Sequence, residues 1–245
     1  MLAKGAHFGY SSSKSHPKMK TFVFANRNGV DIFDLEKTQN KLKFAKDFVK
    51  EVGQEQKLIL FVGTKKEAKS VVAEVATGID MPFVNERWLG GIITNFSEIK
   101  KRLNHLEDLI SKMAKGEFAK NTKLERLRID EEIEKMKRFF SGMSKLKSLP
   151  GALIVIDSEK EKIAVAEARK ANIPVVALMS SDCNPSEIDY IIPANDSSVD
   201  SITYFMNEIA ISYKEGFVEG TKKAEDKAKA DAEISDKEKV KEEVE

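Results

Sequence analysis

Leu58-Ile-Leu-Phe-Val-Gly-Thr-Lys-Lys-Glu67 is the stretch that decides the fold class. It begins as a short, continuous apolar run, which is typical of a strand buried on both faces, as in a parallel sheet. Thr64 and Glu67 then follow at the spacing of a capping box, which predicts that a helix begins at once. A buried strand that passes directly into a helix is the repeating unit of an α/β fold.

The same alternation recurs further along the chain. Apolar runs at 152–156, 174–178 and 190–192 predict strands, and 83–84 is a weaker candidate. Between them, residues 158–171 have a helical pattern whose predicted inward side chains are Ile163, Ala164, Ala166 and Ala168. We therefore predict an α/β fold: a doubly wound, mostly parallel sheet flanked by helices, of the flavodoxin or Rossmann type.

Residues 1–35 predict a basic N-terminal arm that includes a small β-hairpin. Apolar-rich runs at 21–25 and 30–34 flank Asn28-Gly29, which is a strong signal for a tight hairpin turn. Residues 36–52 follow as a predicted helix.

Residues 97–147 interrupt the alternation. Two series of apolar residues recur at alternating steps of four and three: Ile99, Leu103, Leu106, Ile110 and Met113, then Ile129, Ile133, Met136, Phe140 and Met143. Thr122 and Glu125 form a capping box for the second series. This pattern predicts an antiparallel helical hairpin, a coiled coil with a heptad-like seam, that is inserted into the sheet domain and projects from it.

The predicted organisation has four parts. These are the arm (1–35), one α/β domain made from 36–96 and 148–221, the hairpin (97–147) and a charged tail (222–245). The α/β domain is expected to end with a helix over 198–216. The tail has too few apolar residues to bury a face, so we expect it to be disordered or weakly helical.

Charge is distributed unevenly over the 245 residues, although the net charge is only +1. Residues 1–30 carry five bases and no acid, residues 97–147 have an excess of five bases, and residues 148–221 have an excess of seven acids. Such segregation favours an oriented contact with a polyanion, although a solvated surface would show it as well. Asp182, Asp189 and Asp196 in the acidic part are a candidate surface for other proteins.

The composition favours a soluble intracellular protein. The single cysteine suits a reducing compartment, and neither a signal peptide nor a membrane span is apparent.

The sequence offers little support for an enzyme. Residues 62–66 follow a predicted strand but lack Walker spacing, and no Gly-x-Gly-x-x-Gly motif follows any strand. The three histidines are scattered, and Cys183 has no histidine near it in sequence. Four side chains, His16, Asp182, Asp189 and Asp196, match no specific pattern of metal ligands. We predict no catalytic residue, cofactor, metal or small-molecule substrate.

Several groups of residues are candidates for RNA contact. The N-terminal arm, including the turn of its small β-hairpin, contains Lys4, Lys14, His16, Lys18, Lys20, Asn26 and Arg27. Arg87 and Trp88 can stack on a base or ribose, with Asn95 nearby; equally, the tryptophan can be a core residue and the arginine part of an ion pair. The helical segment supplies Lys100, Lys101, Arg102, Arg126, Arg128, Lys137 and Arg138, as either a solvated face or a cationic rod.

A series of motifs in order resembles one known family. The motifs are Gly5-Ala-His-Phe-Gly9, His16-Pro-Lys-Met-Lys20, 30–38, 60–65, 83–96, 150–157, 171–175 and 189–196. They resemble small-subunit ribosomal protein two of bacterial type, along the chain to about residue 216. The resemblance implies a structural constituent of the small ribosomal subunit that functions in translation. It also implies binding to small-subunit ribosomal RNA and to other ribosomal proteins, including the first protein of that subunit.

The arm departs from the family pattern. Tyr10 stands where the family commonly has a second histidine, and residues 11–15 carry one lysine where the family often has arginines and an aromatic residue. This difference predicts weaker RNA contact by the arm. Two other functions stay open: a small-molecule or nucleotide-binding α/β enzyme, and a protein scaffold that does not touch RNA.

Overall fold

The computed structural model describes the backbone of residues 1–242 and the side chains of residues 1–118 and 120–223. The strands are β1 (Phe8–Ser11), β2 (Val23–Arg27), β3 (Val30–Phe33), β4 (Ile59–Val62), β5 (Phe83–Val84), β6 (Ala152–Ile156), β7 (Val175–Met179) and β8 (Tyr190–Pro193). The α-helices are α1 (Leu35–Gln54), α2 (Lys69–Gly78), α3 (Phe96–Ala114), α4 (Lys123–Phe140), α5 (Lys162–Lys170) and α6 (Val199–Glu242). None of these described helices is long and apolar enough to cross a membrane.

The central sheet has five parallel strands in the order β5-β4-β6-β7-β8. Every residue of β4, β6 and β7 is buried, as their continuous apolar runs predict. This confirms the α/β fold with a parallel sheet flanked by helices. The strand order reverses between β4 and β6, which is where a crevice for ligands opens in folds of this kind.

Helices cover both faces of the central sheet. Ile59 and Phe61 of β4 pack in one buried cluster with α1, α2 and α6, whereas Leu60 and Val62 pack in a second cluster with α3, α4 and α5. Successive residues of a strand point to opposite faces, so the two clusters are the two sides of the sheet.

The predicted hairpin near the N-terminus is confirmed, and it belongs to a three-stranded antiparallel sheet of order β1-β3-β2. Its turn residues Asn28 and Gly29 have φ of 51° and 80°, the left-handed geometry that the Asn-Gly pair favours. Strand β1 was not predicted.

Two helix starts differ in how well the sequence predicts them. Thr122 caps α4 through a reciprocal capping box with Glu125, as predicted. The box expected at Thr64 is wrong, because α2 begins later, at Lys69. The Thr64 amide and hydroxyl instead donate to the Glu161 carboxylate, which lies just before α5.

Helices α3 and α4 lie between β5 and β6 in the chain. Ile99, Leu103 and Leu106 of α3 are buried in the second cluster together with residues of α4, whereas Ile110 and Met113 near the end of α3 are exposed. The apolar side chains of α3 are therefore buried in its first part and exposed near its C-terminal end.

Helix α6 continues well beyond the helix expected over 198–216 and overlaps the tail predicted at 222–245. Residues 243–245 lie outside the described residues. That the tail is disordered or weakly helical stays a prediction.

Candidate functional site

The N-terminal arm lies across the carboxyl-end edge of the central sheet. The amides of Tyr10 and His16 donate to the side chain and the carbonyl of Ser181, at 2.9 and 2.7 Å. The Asn195 amide donates to the Ala6 carbonyl at 3.0 Å. Because Ser181 follows β7 and Asn195 follows β8, these bonds hold the arm where the parallel strands end. The buried side chain of Met19 also anchors the arm in the second cluster.

A buried group of charges lies beneath the arm at the same edge. The Lys65 ammonium is 3.0 Å from the Asp196 carboxylate and 3.2 Å from that of Asp157, and it donates to the Tyr10 hydroxyl at 2.8 Å. Burial alone would lower the pKa of Lys65, but Asp196, the Tyr10 hydroxyl and Asp157 outweigh burial and raise it. Lys65 follows β4 and Asp157 follows β6, so the ion pair and Tyr10 occupy the crevice at the reversal of strand order.

Asp196 is fully buried, and burial raises the pKa of its carboxyl to about 6, with Asp157 contributing. The expectation that Asp196 shares an exposed acidic surface with Asp182 and Asp189 is therefore wrong. Asp196 could join Asp157 and Cys183 as a group of possible metal ligands, since their ligand atoms lie within 4.8 Å of one another. Lys65 already supplies a positive charge between the two carboxylates. Burial raises the pKa of the Cys183 thiol, which makes this thiol a poor nucleophile.

Trp88 lies inside the protein. Its side chain is 6% exposed and packs in the second cluster, and its Nε1 donates to Glu167 at 3.2 Å. Its ring is therefore covered by protein, which favours the core interpretation over stacking on a base. Arg87 beside it is exposed.

Glu167 of α5 holds the loop that follows β5. Besides Trp88, its carboxylate accepts hydrogen bonds from the amides of Gly91, Ile93 and Thr94 at 2.7, 3.1 and 3.2 Å, and from the Thr94 hydroxyl at 3.2 Å. Burial raises the pKa of this carboxyl, but the hydrogen bonds outweigh burial and hold it below its usual range. The side chain therefore stays ionised.

Glu86, in the same loop, forms ion pairs with cations of two helices. Its carboxylate is 2.8 Å from the Lys69 ammonium of α2 and 3.5 Å from the Arg138 guanidinium of α4. Arg138 is therefore ion-paired with Glu86, the residue that precedes the exposed Arg87.

The other predicted contact residues fall into two groups. Nine exposed cations among the predicted contact residues form neither an ion pair nor a side-chain hydrogen bond within the part of the chain that the structure describes: Lys14, Lys20, Arg27, Arg87, Lys100, Arg102, Arg126, Arg128 and Lys137. Lys4 and Lys101 are paired on the surface, with Asp200 at 3.5 Å and Glu98 at 2.6 Å.

The remaining polar candidates have local structural contacts. His16 accepts from the Lys18 amide at 3.2 Å as a helix cap, and Lys18 donates to Ser186 at 2.6 Å. Asn26 accepts from the Gly29 amide at 3.1 Å in the hairpin turn. Asn95 directly precedes α3 and is exposed.

Lys65 and Glu167 were not among the predicted site residues. A signal for Glu167 was present, because it falls between Ala164, Val165 and Ala168 on the face of α5 that is buried. Ile163, which was expected on that face, is exposed. A charged residue on an apolar helix face is a reason to look for buried partners.

Comparison with known proteins identifies the family. A family model described as ribosomal protein S2 matches residues 1–216. The chain is 46% identical over 216 residues to small ribosomal subunit protein uS2 of Roseiflexus sp. (strain RS-1), covering 88% of this chain and 82% of that protein. It is 42% identical over 225 residues to small ribosomal subunit protein uS2 of Chloroflexus aurantiacus (strain ATCC 29366 / DSM 635 / J-10-fl), covering 92% and 93%. For the protein of that name from Mycolicibacterium vanbaalenii, identity is 42% over 232 residues, covering 95% and 85%. The chain therefore belongs to the ribosomal protein S2 family.

Proposed function

We propose that this protein is a non-catalytic structural constituent of the small ribosomal subunit. In this proposal it binds small-subunit ribosomal RNA through its exposed cations and lies next to other ribosomal proteins, including the first protein of that subunit. Its site of action is the cytoplasmic ribosome. The observation that carries the RNA contact is that nine of the predicted contact residues are exposed cations without an ion pair among the described residues, because such side chains are free to neutralise phosphates.

The cations of α3 and α4 supply the second part of the proposal. We infer that α3 and α4 form the antiparallel hairpin of 97–147 and that its outer end reaches the RNA. Two features support this: both helices contribute to the second cluster, and His105 of α3 lies 3.6 Å from Glu132 of α4. Ile110 and Met113 are exposed at the end of α3, as expected of a part that extends from the body.

The arm contributes to the same contact in this proposal. Its docked backbone presents Lys14, Lys20 and Arg27 on the exposed surface. Arg87, on the loop that follows β5, adds a cation near the same edge of the sheet. Trp88 contributes by packing, not by stacking.

The structure disfavours a nucleotide-binding enzyme. In α/β enzymes the crevice at the reversal of strand order receives the ligand. Here the Tyr10 hydroxyl, the Lys65 ammonium and the Asp157 carboxylate fill that crevice with hydrogen-bonded side chains. Loop amides that could bind a phosphate are bonded to Glu167 instead.

A salt titration with matched charge variants tests the RNA contact. The double variant Lys100→Gln/Arg102→Gln removes two unpaired cations, and Arg169→Gln/Lys170→Gln removes two exposed cations of α5. Association is measured with small subunits that lack this protein and with purified small-subunit ribosomal RNA. The logarithm of the association constant should fall with the logarithm of salt concentration, and the first variant should reduce that slope by about 2.

The control variant should keep the wild-type slope. Equal slopes for all three proteins would contradict the RNA contact through α3. Binding to complete subunits that is insensitive to salt, without binding to the RNA, would favour a protein scaffold that does not touch RNA.

A further inference from the structure

A single carboxylate organises the loop between β5 and α3. Each oxygen of the Glu167 carboxylate accepts from a different part of the loop. Oε1 accepts from the Trp88 indole and the Gly91 amide. Oε2 accepts from the Ile93 amide and from both the amide and the hydroxyl of Thr94. The loop thus wraps around an anion supplied by α5. No other described residue donates to this carboxylate.

Both the charge and the two-oxygen geometry of the Glu167 carboxylate are needed to hold the loop. A carboxylate accepts at both oxygens, whereas a glutamine amide would direct two N–H donors towards one half of the loop. Gly91, itself a donor to Oε1, has φ of +97°, a left-handed conformation that turns the chain towards the donors to Oε2. Since Glu167 is only 7% exposed, water cannot readily replace lost bonds.

The anchored residues lie directly before α3. Thr94 is bonded to Glu167, and α3 begins at Phe96 with Asn95 making no side-chain capping bond. The start of the helix is therefore held by the bonds to Glu167, by the Asn95 amide donating to the Gly91 carbonyl at 2.9 Å, and by apolar packing. Lys100 and Arg102 lie in the first two turns of that helix, and Arg87 directly precedes Trp88 at the other end of the loop.

We propose that Glu167 is a positioning residue for the RNA-contacting surface: it fixes the loop at 88–94 so that Arg87 and the cations of α3 face one partner in a set geometry. Glu167 itself is buried and touches no partner. This inference rests on the proposed function for the identity of the partner. The geometric part, that Glu167 sets the direction of α3 relative to α5, stands independently of it.

The test compares two buried carboxylates. Glu167→Gln replaces one of the two acceptor oxygens of the loop by an amide group that can only donate. Glu161→Ala removes the acceptor of Thr64 at the other end of α5, at a residue that is 3% exposed. Spin labels at Ser111→Cys on α3 and Lys170→Cys on α5 report the distance between the helices, with buried Cys183 left in place. Global stability is measured by urea denaturation for each full-length protein.

Glu167→Gln should shift or broaden the distance distribution between the labels and weaken association with subunits lacking this protein by roughly fivefold to tenfold. Glu161→Ala should lower stability but leave the distance distribution and the association constant as in the wild type. Thr94→Val should show a smaller effect in the same direction as Glu167→Gln. Thr94→Ser, which keeps the hydroxyl, should restore wild-type behaviour.

An unchanged distance distribution in Glu167→Gln would overturn the positioning role. So would a loss of association that Glu161→Ala reproduces at equal loss of stability, because that result would mean a general structural effect. If the wild-type protein bound neither subunits nor RNA, the proposed function would fail, while the distance measurement would still decide the role of Glu167.

Discussion

Replacing Gly216 by alanine should destabilise the protein, because α6 and α1 cross there in backbone contact. A Cβ at Gly216 would lie 2.1 Å from the Lys50 carbonyl oxygen and 2.9 Å from its carbonyl carbon. Ordinary contact begins near 3.4 Å, so the two helices would have to separate by about 1 Å. The obstacle is backbone, so it cannot move away by rotating a side chain.

The expected magnitude follows from two opposing effects. Alanine favours a helix interior over glycine by about 1 kcal/mol, whereas overpacking of a close contact costs about 1–3 kcal/mol and more where backbone must shift. We expect the cost to prevail, with a net loss of about 2 kcal/mol in the free energy of unfolding. For a chain of this size that corresponds to a fall in Tm of about 4–8 °C.

Urea denaturation followed by circular dichroism measures this loss, and Gly78→Ala is the matched control. Gly78 is the last residue of α2, and a Cβ there meets nothing within 4 Å. That substitution should leave stability unchanged or raise it by up to about 1 kcal/mol. If Gly216→Ala proved as stable as Gly78→Ala, the close α1–α6 crossing would be refuted.

Three further predictions concern the sheet edge. The pKa of Asp196 lies at about 6 in the folded protein against its ordinary value of 3.8, so the native state takes up a proton first as pH falls. Relative to Asp196→Asn, the wild type should therefore gain up to about 3 kcal/mol of stability between pH 7 and pH 4; urea curves showing a pH-independent difference would contradict this. Tyr10→Phe removes the hydroxyl bonded to Lys65, so it should cost about 1 kcal/mol and speed hydrogen exchange at the amide of residue 10; unchanged exchange would argue against the docked arm. Fluorescence of the single tryptophan, Trp88, should be weakly quenched by acrylamide and unaffected by added ribosomal RNA, whereas strong quenching by RNA would indicate stacking.

Much of the fold could be predicted because its signals are local. Apolar runs four or five residues long identify β4, β6 and β7, the Asn28-Gly29 pair identifies the hairpin, and Thr122 with Glu125 identifies the start of α4. Each of these depends on residues that are close in sequence. Strand β1 escaped prediction because Phe8–Ser11 is short, contains a glycine and lies at the edge of its sheet.

The buried polar contacts could not be predicted, because their partners are distant in sequence. Thr64 looks like a helix cap, yet it donates to Glu161, 97 residues away. Trp88 is 79 residues from Glu167, and nothing in the sequence of the loop specifies which carboxylate it will surround. Such pairs arise only when the parallel strands bring successive loops to one edge of the sheet.

The filled edge of the sheet connects the fold to the proposed function. An α/β sheet normally leaves its carboxyl-end edge open for ligand, and both kinds of ligand-binding group are found here: an ammonium after β4 and a row of loop amides after β5. In this protein the ammonium of Lys65 is bonded to Asp157 and Asp196, and the amides are bonded to Glu167. These internal bonds tie the arm, the loop and α5 to the sheet and make the body more rigid. They leave neither the ammonium nor the amides free to bind a substrate. A rigid body is what an RNA-binding surface made of separate cations requires, since each cation held in place loses less conformational entropy on meeting its phosphate.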